Sequence, residues 1–434
     1  MQMVAQVSRM TRYPPLFYAV EGFVLRATTA ADLSGPEVLY GARLAAAVLS
    51  WLVVGFGVFL LLRRFPSGAV VFATLLALPS TAWFIAASVN PNGLEIAAAF
   101  LLAAGVLALR FDHDTSARSL SAVLSVPIGT LLLAWSRPVS WVWAALILGL
   151  LLVPIGQKGG DPWRRRLPVL RLGVVAGTAT VLFLASAMAW FAYALQVRSS
   201  EAARGDSAAW AGLTSVRRVL VVLLHSGTIV SEQIGNFGWL DTPLPPMAVI
   251  AWVSIAGVAV AIWVAGRNTL VPSWSVGAVI GLGYLAALLD EYRAGWGWQG
   301  RYLLPLTAAV CVLAVPGLVT GLERLSALRR VFPWMLVVLM AVNALSVVWY
   351  LFRNVYGVKA APGRLPSMPW PAGPPSWNPP FGQGVVLALV SLALVCGVVA
   401  VWALRPVAET AAGAARTDRE GAEGRLAKDL SRAR

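Results

Sequence analysis

The chain has 434 residues, of which 59% are hydrophobic and only 12% charged, and its mean hydropathy is +0.74. Soluble domains carry about 25% charged residues, so this composition excludes a soluble globular protein and indicates a multi-pass membrane protein. The formal net charge of +15 does not point to nucleic acid. The basic residues sit in short loops between apolar runs, where they set topology and attract anionic lipid heads. Cys311 and Cys396 both fall inside apolar runs and read as small core residues, with no disulfide framework and no zinc spacing. His113 and His225, the two histidines, lie far apart in sequence. No metal motif and no cofactor motif is visible; a divalent metal is left open.

Residues 1–42 read as an outer interfacial segment. Arg9, Arg12, Glu21 and Arg26 interrupt the apolar pattern, and no signal-peptide core is followed by a small-residue cleavage site. Tyr13-Pro14-Pro15-Leu16-Phe17-Tyr18 starts an amphipathic stretch suited to lying at an interface. From there an all-α transmembrane domain is expected over residues 43–404. A hydrocarbon core about 30 Å thick needs about 20 apolar residues per helix, and run length predicts about eleven spans. They fall at 43–62, 68–88, 93–109, 119–135, 138–155, 170–195, 246–265, 272–289, 303–322, 332–351 and 384–404. Pro79, Pro127 and Pro316 lie inside three of them, which membrane helices tolerate.

When the spans alternate, Arg63-Arg64, Lys158 with Arg164-Arg165-Arg166, Arg267, and Arg324 with Arg329-Arg330 share one side with the tail from Arg405. That side is expected to be cytoplasmic. The N-terminus is then outside the cell membrane and the C-terminus inside. Two outer loops are long. Residues 196–245 hold an amphipathic run, Thr214–Ser231, with Arg217 and Arg218, that should lie along the surface. Residues 353–383 hold a proline-rich strap over 360–380. Residues 405–434 read as a weakly helical or disordered cytoplasmic tail.

Polar residues collect at the outer ends of the spans. The densest stretch, Asp290 to Tyr302, packs two carboxylates, two guanidinium groups and four aromatic rings between two apolar runs. Ionisable groups beside a bilayer are costly and are functional candidates by default. Candidate catalytic residues are Asp290, Glu291 and Glu95. Candidate substrate-binding residues are Arg301, Arg137, Gln299, Tyr302, Tyr13, Asn90, Asn92, Trp296 and Trp298. Each has a structural alternative. Asn90-Pro91-Asn92-Gly93 makes a good helix-capping turn, and Glu95 could complement a helix dipole. Arg137, beside Pro138, could snorkel to the interface. Trp296 and Trp298 could be belt anchors, and His225 reads as an interfacial side chain. No P-loop, HExxH, GxSxG or dinucleotide fingerprint appears.

Four short motifs stand in register: Tyr-Pro-Pro-Leu-Phe-Tyr at 13–18, Ser-Val-Asn-Pro-Asn-Gly-Leu-Glu at 88–95, Ser-Arg-Pro at 136–138 and Gln-Gly-Arg-Tyr-Leu-Leu-Pro at 299–305. Over about Tyr13 to Val401 the chain resembles the bacterial multi-pass family called domain of unknown function 2142, which looks like the C-type (GT-C) fold of membrane glycosyltransferases. The resemblance implies a transferase that uses a polyprenyl-phosphate-linked sugar donor at the outer face of the cytoplasmic membrane. It also implies a first span followed by an acidic loop; both are missing ahead of the Tyr-Pro-Pro segment, so either Met1 is a misplaced start, the chain is a fragment, or this copy has lost catalysis. Arg301 and Arg137 would hold the lipid phosphate. Tyr292, Trp296 and Trp298 would stack on sugar or isoprenoid, and the base would come from the upstream loop, Asp290 or Glu291. The competing readings are a transporter or flippase of a lipid-linked or small polar substrate, and a non-catalytic scaffold of envelope assembly. Oligomeric state is not legible. Transport is disfavoured because the span interiors carry almost no charge.

Overall fold

The structure is a computed structural model, which describes residues 13–111, 118–150, 170–202, 214–238, 240–266, 273–294, 299–357, 375 and 377–403. Residues 1–12, Trp296, Trp298, most of the proline-rich strap and the tail 405–434 lie outside the described residues. The chain is helical almost throughout. It runs α1 (Pro15–Ala30), α2 (Gly35–Leu62), α3 (Ser67–Ala77), α4 (Ser80–Ala86), α5 (Pro91–Phe111), α6 (Arg118–Ala134), α7 (Ser140–Gly149) and α8 (Leu170–Ala202). There follow α9 (Ser215–Gly235), a two-residue antiparallel pair β1 (Asn236–Phe237) and β2 (Thr242–Pro243), α10 (Pro246–Gly266) and α11 (Ser273–Ala294). A 3-10 turn, Gly300–Leu303, leads into α12 (Leu304–Leu313), α13 (Val315–Arg324), α14 (Ser326–Tyr356) and α15 (Gly382–Ala403).

Residues up to Ser326 form one compact unit, and α14 with α15 belongs to a second. In the first, α5 is the axis, packed against α2, α6, α7 and α12. Its spanning window is 94% buried, whereas that of α8 is 17% and that of α10 is 22%. The sequence of α5 permits this enclosure: Ala97, Ala98, Ala99, Ala103 and Ala104 let neighbouring backbones come close. The outer helices instead expose large apolar side chains, among them Val181 and Leu182 on α8 and Met247 and Ile250 on α10. Such surfaces belong against lipid. In the second unit, α14 and α15 are clasped by an edge-on Trp334–Trp402 contact at 5.6 Å and by Tyr356 Oη donating to Gln383 at 3.2 Å.

Each of the eleven apolar runs falls, where described, on a helix or a bent helix pair, but about eleven spans are not reached among the described residues. Six described helices are long and apolar enough to cross a membrane, eight if each bent pair counts as one. Leu120–Ala134, Ser140–Gly149 and Trp274–Leu289 are apolar but shorter. The expected straight spans at 68–88 and 303–322 are both broken. The axes of α3 and α4 differ by 74°, because Pro79 lacks an N–H and its ring forces Leu78 out of the helical region; Leu78 has ψ 72°. The bend at Ala314, 46°, likewise precedes a proline, Pro316. The second helix starts at Gly35 rather than at residue 43, with Ser34 and Glu37 closing a capping box. Cys396 is exposed on α15 rather than buried.

Gly129 on α6 lies directly against the backbone of α5. A Cβ there would lie 2.9 Å from Leu102 Cα on α5, and backbone cannot yield as a side-chain tip can. Gly129→Ala should therefore cost about 1–3 kcal/mol through overpacking. The control Gly177→Ala, on α8 with nothing within 4 Å, should be neutral or stabilising. Thermal unfolding of both variants in the same detergent checks this, and equal behaviour would refute the close packing.

Candidate functional site

The site begins at the N-terminal end of α5, where Asn90 Oδ1 accepts the Asn92 N–H at 3.0 Å and so starts the helix. Asn92 is itself buried. One turn on, Glu95 is fully buried. Its Oε2 lies 3.4 Å from Arg137 Nη1, its Oε1 accepts from Ser140 Oγ at 2.6 Å, and the Trp143 side chain adds a further hydrogen bond. Arg137 stands in the connection between α6 and α7 and is 8% exposed, so it does not snorkel. A carboxylate and a guanidinium enclosed together are tolerable because each answers the other's charge.

The cluster extends to Tyr302. Arg137 Cζ lies 4.2 Å from its ring centroid and Arg301 Cζ 5.5 Å, both within cation–π range. Tyr13 hydrogen-bonds Arg137 and meets Tyr18 edge-on at 6.2 Å. Burial pushes the Tyr18 phenol up to about 12, with Tyr13 adding and Arg137 opposing, so it remains a protonated donor. The Nε atoms of Arg137 and Arg301 and Oε1 of Gln299 are buried with no hydrogen-bond partner. Four sequence motifs, scattered from residue 13 to residue 305, are thereby brought into one chain of contacts.

A second group joins it from α9. Glu232 Oε2 accepts the Gly300 N–H at 2.7 Å, which anchors the turn that carries Arg301. The turn is pressed so close that a Cβ on Gly300 would collide with the Ile229 carbonyl and lie 2.8 Å from Gln233 N. That is the physical reason for glycine between Gln299 and Arg301. His225 Nδ1 lies 2.8 Å from Glu291 Oε1, off the line a hydrogen bond needs, and Glu291 Oε2 is buried without a partner. Asp290, next along α11, ends the apolar part of that helix; its side chain lies outside the described residues.

Several bonds hold the inner end of α9 in place. Thr81 Oγ1 donates to the Glu232 carbonyl at 2.9 Å and accepts the Asn236 N–H at 3.2 Å. Gln233 takes the Thr307 hydroxyl at 2.7 Å and donates to Tyr284 Oη at 3.0 Å. Beside Gln233 opens a cavity of about 190 Å³ whose wall includes Val230, Ile234, Ile280, Leu306 and Val310. Among the described residues no group of three or more His, Cys, Asp or Glu side chains is placed to hold a metal.

Sequence reading missed Glu232, Ser140 and Thr81, and it took His225 for an interfacial side chain. One signal was available for α9: Arg218, Val222, His225, Ile229 and Glu232 recur at helical spacing along one face. A stripe mixing two apolar with three ionisable residues marks a face that is buried against something polar.

Taken together, fold and site define an all-helical, multi-pass integral membrane protein with an enclosed ionic cluster at one end of its helices. The chain belongs to the family described as predicted membrane protein (DUF2142), whose model matches residues 3–310 and so takes in every residue of the cluster. No curated protein and no solved structure matches it.

Two predictions follow from the electrostatics. Arg137→Ala leaves Glu95 buried and alone, and should cost about 3–5 kcal/mol. The pair Glu95→Leu with Arg137→Met should recover much of that loss. Thermal unfolding of both single variants and the double variant decides it; a double-variant loss equal to the sum of the two single losses would show that the pair is not coupled. Glu232 is raised above 4.5, chiefly by burial, against the Gly300 N–H, His225 and Arg301. The folded carboxyl thus keeps its proton to higher pH than the unfolded one, so its contribution is full below about 4.5 and fades as pH rises through the folded value. Glu232→Gln, which can still accept the Gly300 N–H, should gain in melting temperature over wild type as pH rises from acid to neutral. A gap between the two that does not change with pH would refute the assignment.

Proposed function

We propose that the protein is a membrane glycosyltransferase that takes its sugar from a polyprenyl-phosphate donor, with the ionic cluster facing the outer side of the cytoplasmic membrane. The observation that carries this reading is the pair Arg301 and Arg137, both set against the Tyr302 ring and each with an Nε donor buried and unanswered. Guanidinium donors left without partners in an enclosed site are matched to an anion with several oxygens, and phosphate fits their fork. Arg301 is the more open of the two and makes the first contact. Arg137 is oriented from behind by Glu95, which acts here as a positioning group rather than as a base.

The apolar cavity beside Gln233 supports the lipid half of the reading. Its polar groups Gln233, Tyr284 and Thr307 bond one another, Trp252 adds one unanswered indole N–H, and the rest of the wall is apolar and suits an isoprenoid chain. Fixed cations at a departing phosphate stabilise its growing charge. Trp296 and Trp298 stay assigned to stacking on the sugar, and Gln299 to a hydroxyl or phosphate oxygen. The experiment is binding of polyprenyl monophosphate to the protein in nanodiscs, followed by native mass spectrometry. A charge-assisted hydrogen bond is worth about 1.5–3 kcal/mol, so Arg301→Ala should weaken binding by about tenfold or more, and Arg301→Lys by less. Undiminished binding by Arg301→Ala would end the phosphate-clamp assignment.

A further inference from the structure

We propose that His225 is the general base of the transfer, with Glu291 as its positioning partner and Glu232 fixing the Arg301 turn beside it. The inference rests on the transferase reading above and adds to it the residue that takes the proton. Three carboxylates stand among the described side chains of the cluster, and each is held or enclosed. Glu95 is wholly enclosed and bound to Arg137 and Ser140. Glu232 is spent on the Gly300 N–H. The Glu291 side chain is 4% exposed and lies against the imidazole, whereas the His225 side chain keeps 27% of its surface open. A substrate hydroxyl can reach the ring and not the carboxylates.

With Nδ1 2.8 Å from Glu291 Oε1, Nε2 is the ring nitrogen left as the acceptor, and the carboxylate steadies the imidazolium once formed. Among the described residues Glu291 from α11 lies against the ring, and Glu232 from its own helix feels His225, Glu291 and Arg301 of the 3-10 turn together; Arg218 stands two turns earlier on the same helix face. The step balances. A hydroxyl on the acceptor gives its proton to Nε2 as its oxygen forms a bond to the anomeric carbon. The bond from that carbon to the phosphate oxygen breaks, and its electron pair leaves with polyprenyl phosphate. The cluster gains one positive charge as the leaving phosphate gains one negative charge, which Arg301 would take up. The imidazolium then returns its proton to water.

The test uses full-length protein in nanodiscs, nerylneryl-phosphoryl glucose, mannose and galactose as donors, and octyl glucoside as the hydroxyl acceptor. His225→Ala should lower kcat by about 10²–10⁴ with KM little changed, and added imidazole should restore part of the rate. Glu291→Gln should lower kcat less, again with KM held. Neither variant should lose polyprenyl monophosphate binding. A second measurement does not depend on the sugar: polyprenyl monophosphate should shield His225, and not His113, from diethylpyrocarbonate, as read by peptide mass spectrometry. Wild-type turnover by His225→Ala, absence of imidazole rescue, or unshielded His225 would each overturn the inference while leaving the transferase reading in place. Wild-type protein that neither binds the phosphate nor turns over would overturn both.

Discussion

The enclosure of α5 is the constraint on which the first compact unit depends. A helix surrounded by other helices can offer its neighbours only what packs or pairs, since neither water nor lipid reaches it. Along most of its length the small residues of α5 meet this demand by letting neighbouring helices close in. At its first turn the demand is met differently, because Glu95 brings a charge into the same dry space. Arg137 and Ser140 answer that charge, and in doing so they fix the turn between α6 and α7 against the start of α5. The ionic contact is therefore also the device that sets the register of three helices.

From that contact the cluster grows outward through Tyr302. The ring lies under both guanidinium groups, which ties the start of α12 to the α6–α7 turn. On its far side Gly300 is flattened against α9 and held by Glu232. A site assembled from a helix start, an interhelical turn, a 3-10 turn and an amphipathic helix has its charges at points where the backbone itself is held. Such preorganisation gives an ionic cluster its use, because charges that need not move can stabilise charge that develops in a substrate.

Much of this was legible along the chain. Runs of apolar residues found every described helix that is long and apolar enough to cross a membrane, because hydrophobic length is a local property. The four motifs were visible as polar residues in positions where polarity is costly, and Arg137, Glu95, Arg301, Tyr302 and Tyr13 do meet. What run length could not tell was whether a run stays straight. Pro79 and Pro316 each stand where an apolar run continues, and each ends a helix there. Nor could it tell which apolar helix is wrapped by protein and which by lipid: α5 and α10 are similarly apolar in sequence but 94% and 22% buried.

Sequence by itself determined that this is a helical membrane protein, where its apolar helices fall, and which ionisable residues had to find a purpose. Those features follow from composition and spacing, which act within a few turns of one chain segment. Tertiary structure alone decided the partners. Glu95 and Arg137 are separated by 42 positions, and Glu232 and Gly300 by 68. No local rule links residues so far apart. His225 shows the difference most plainly. Along the chain it is a lone imidazole on an amphipathic helix; in the fold it stands 2.8 Å from a buried carboxylate, because α9 and α11 pack side by side.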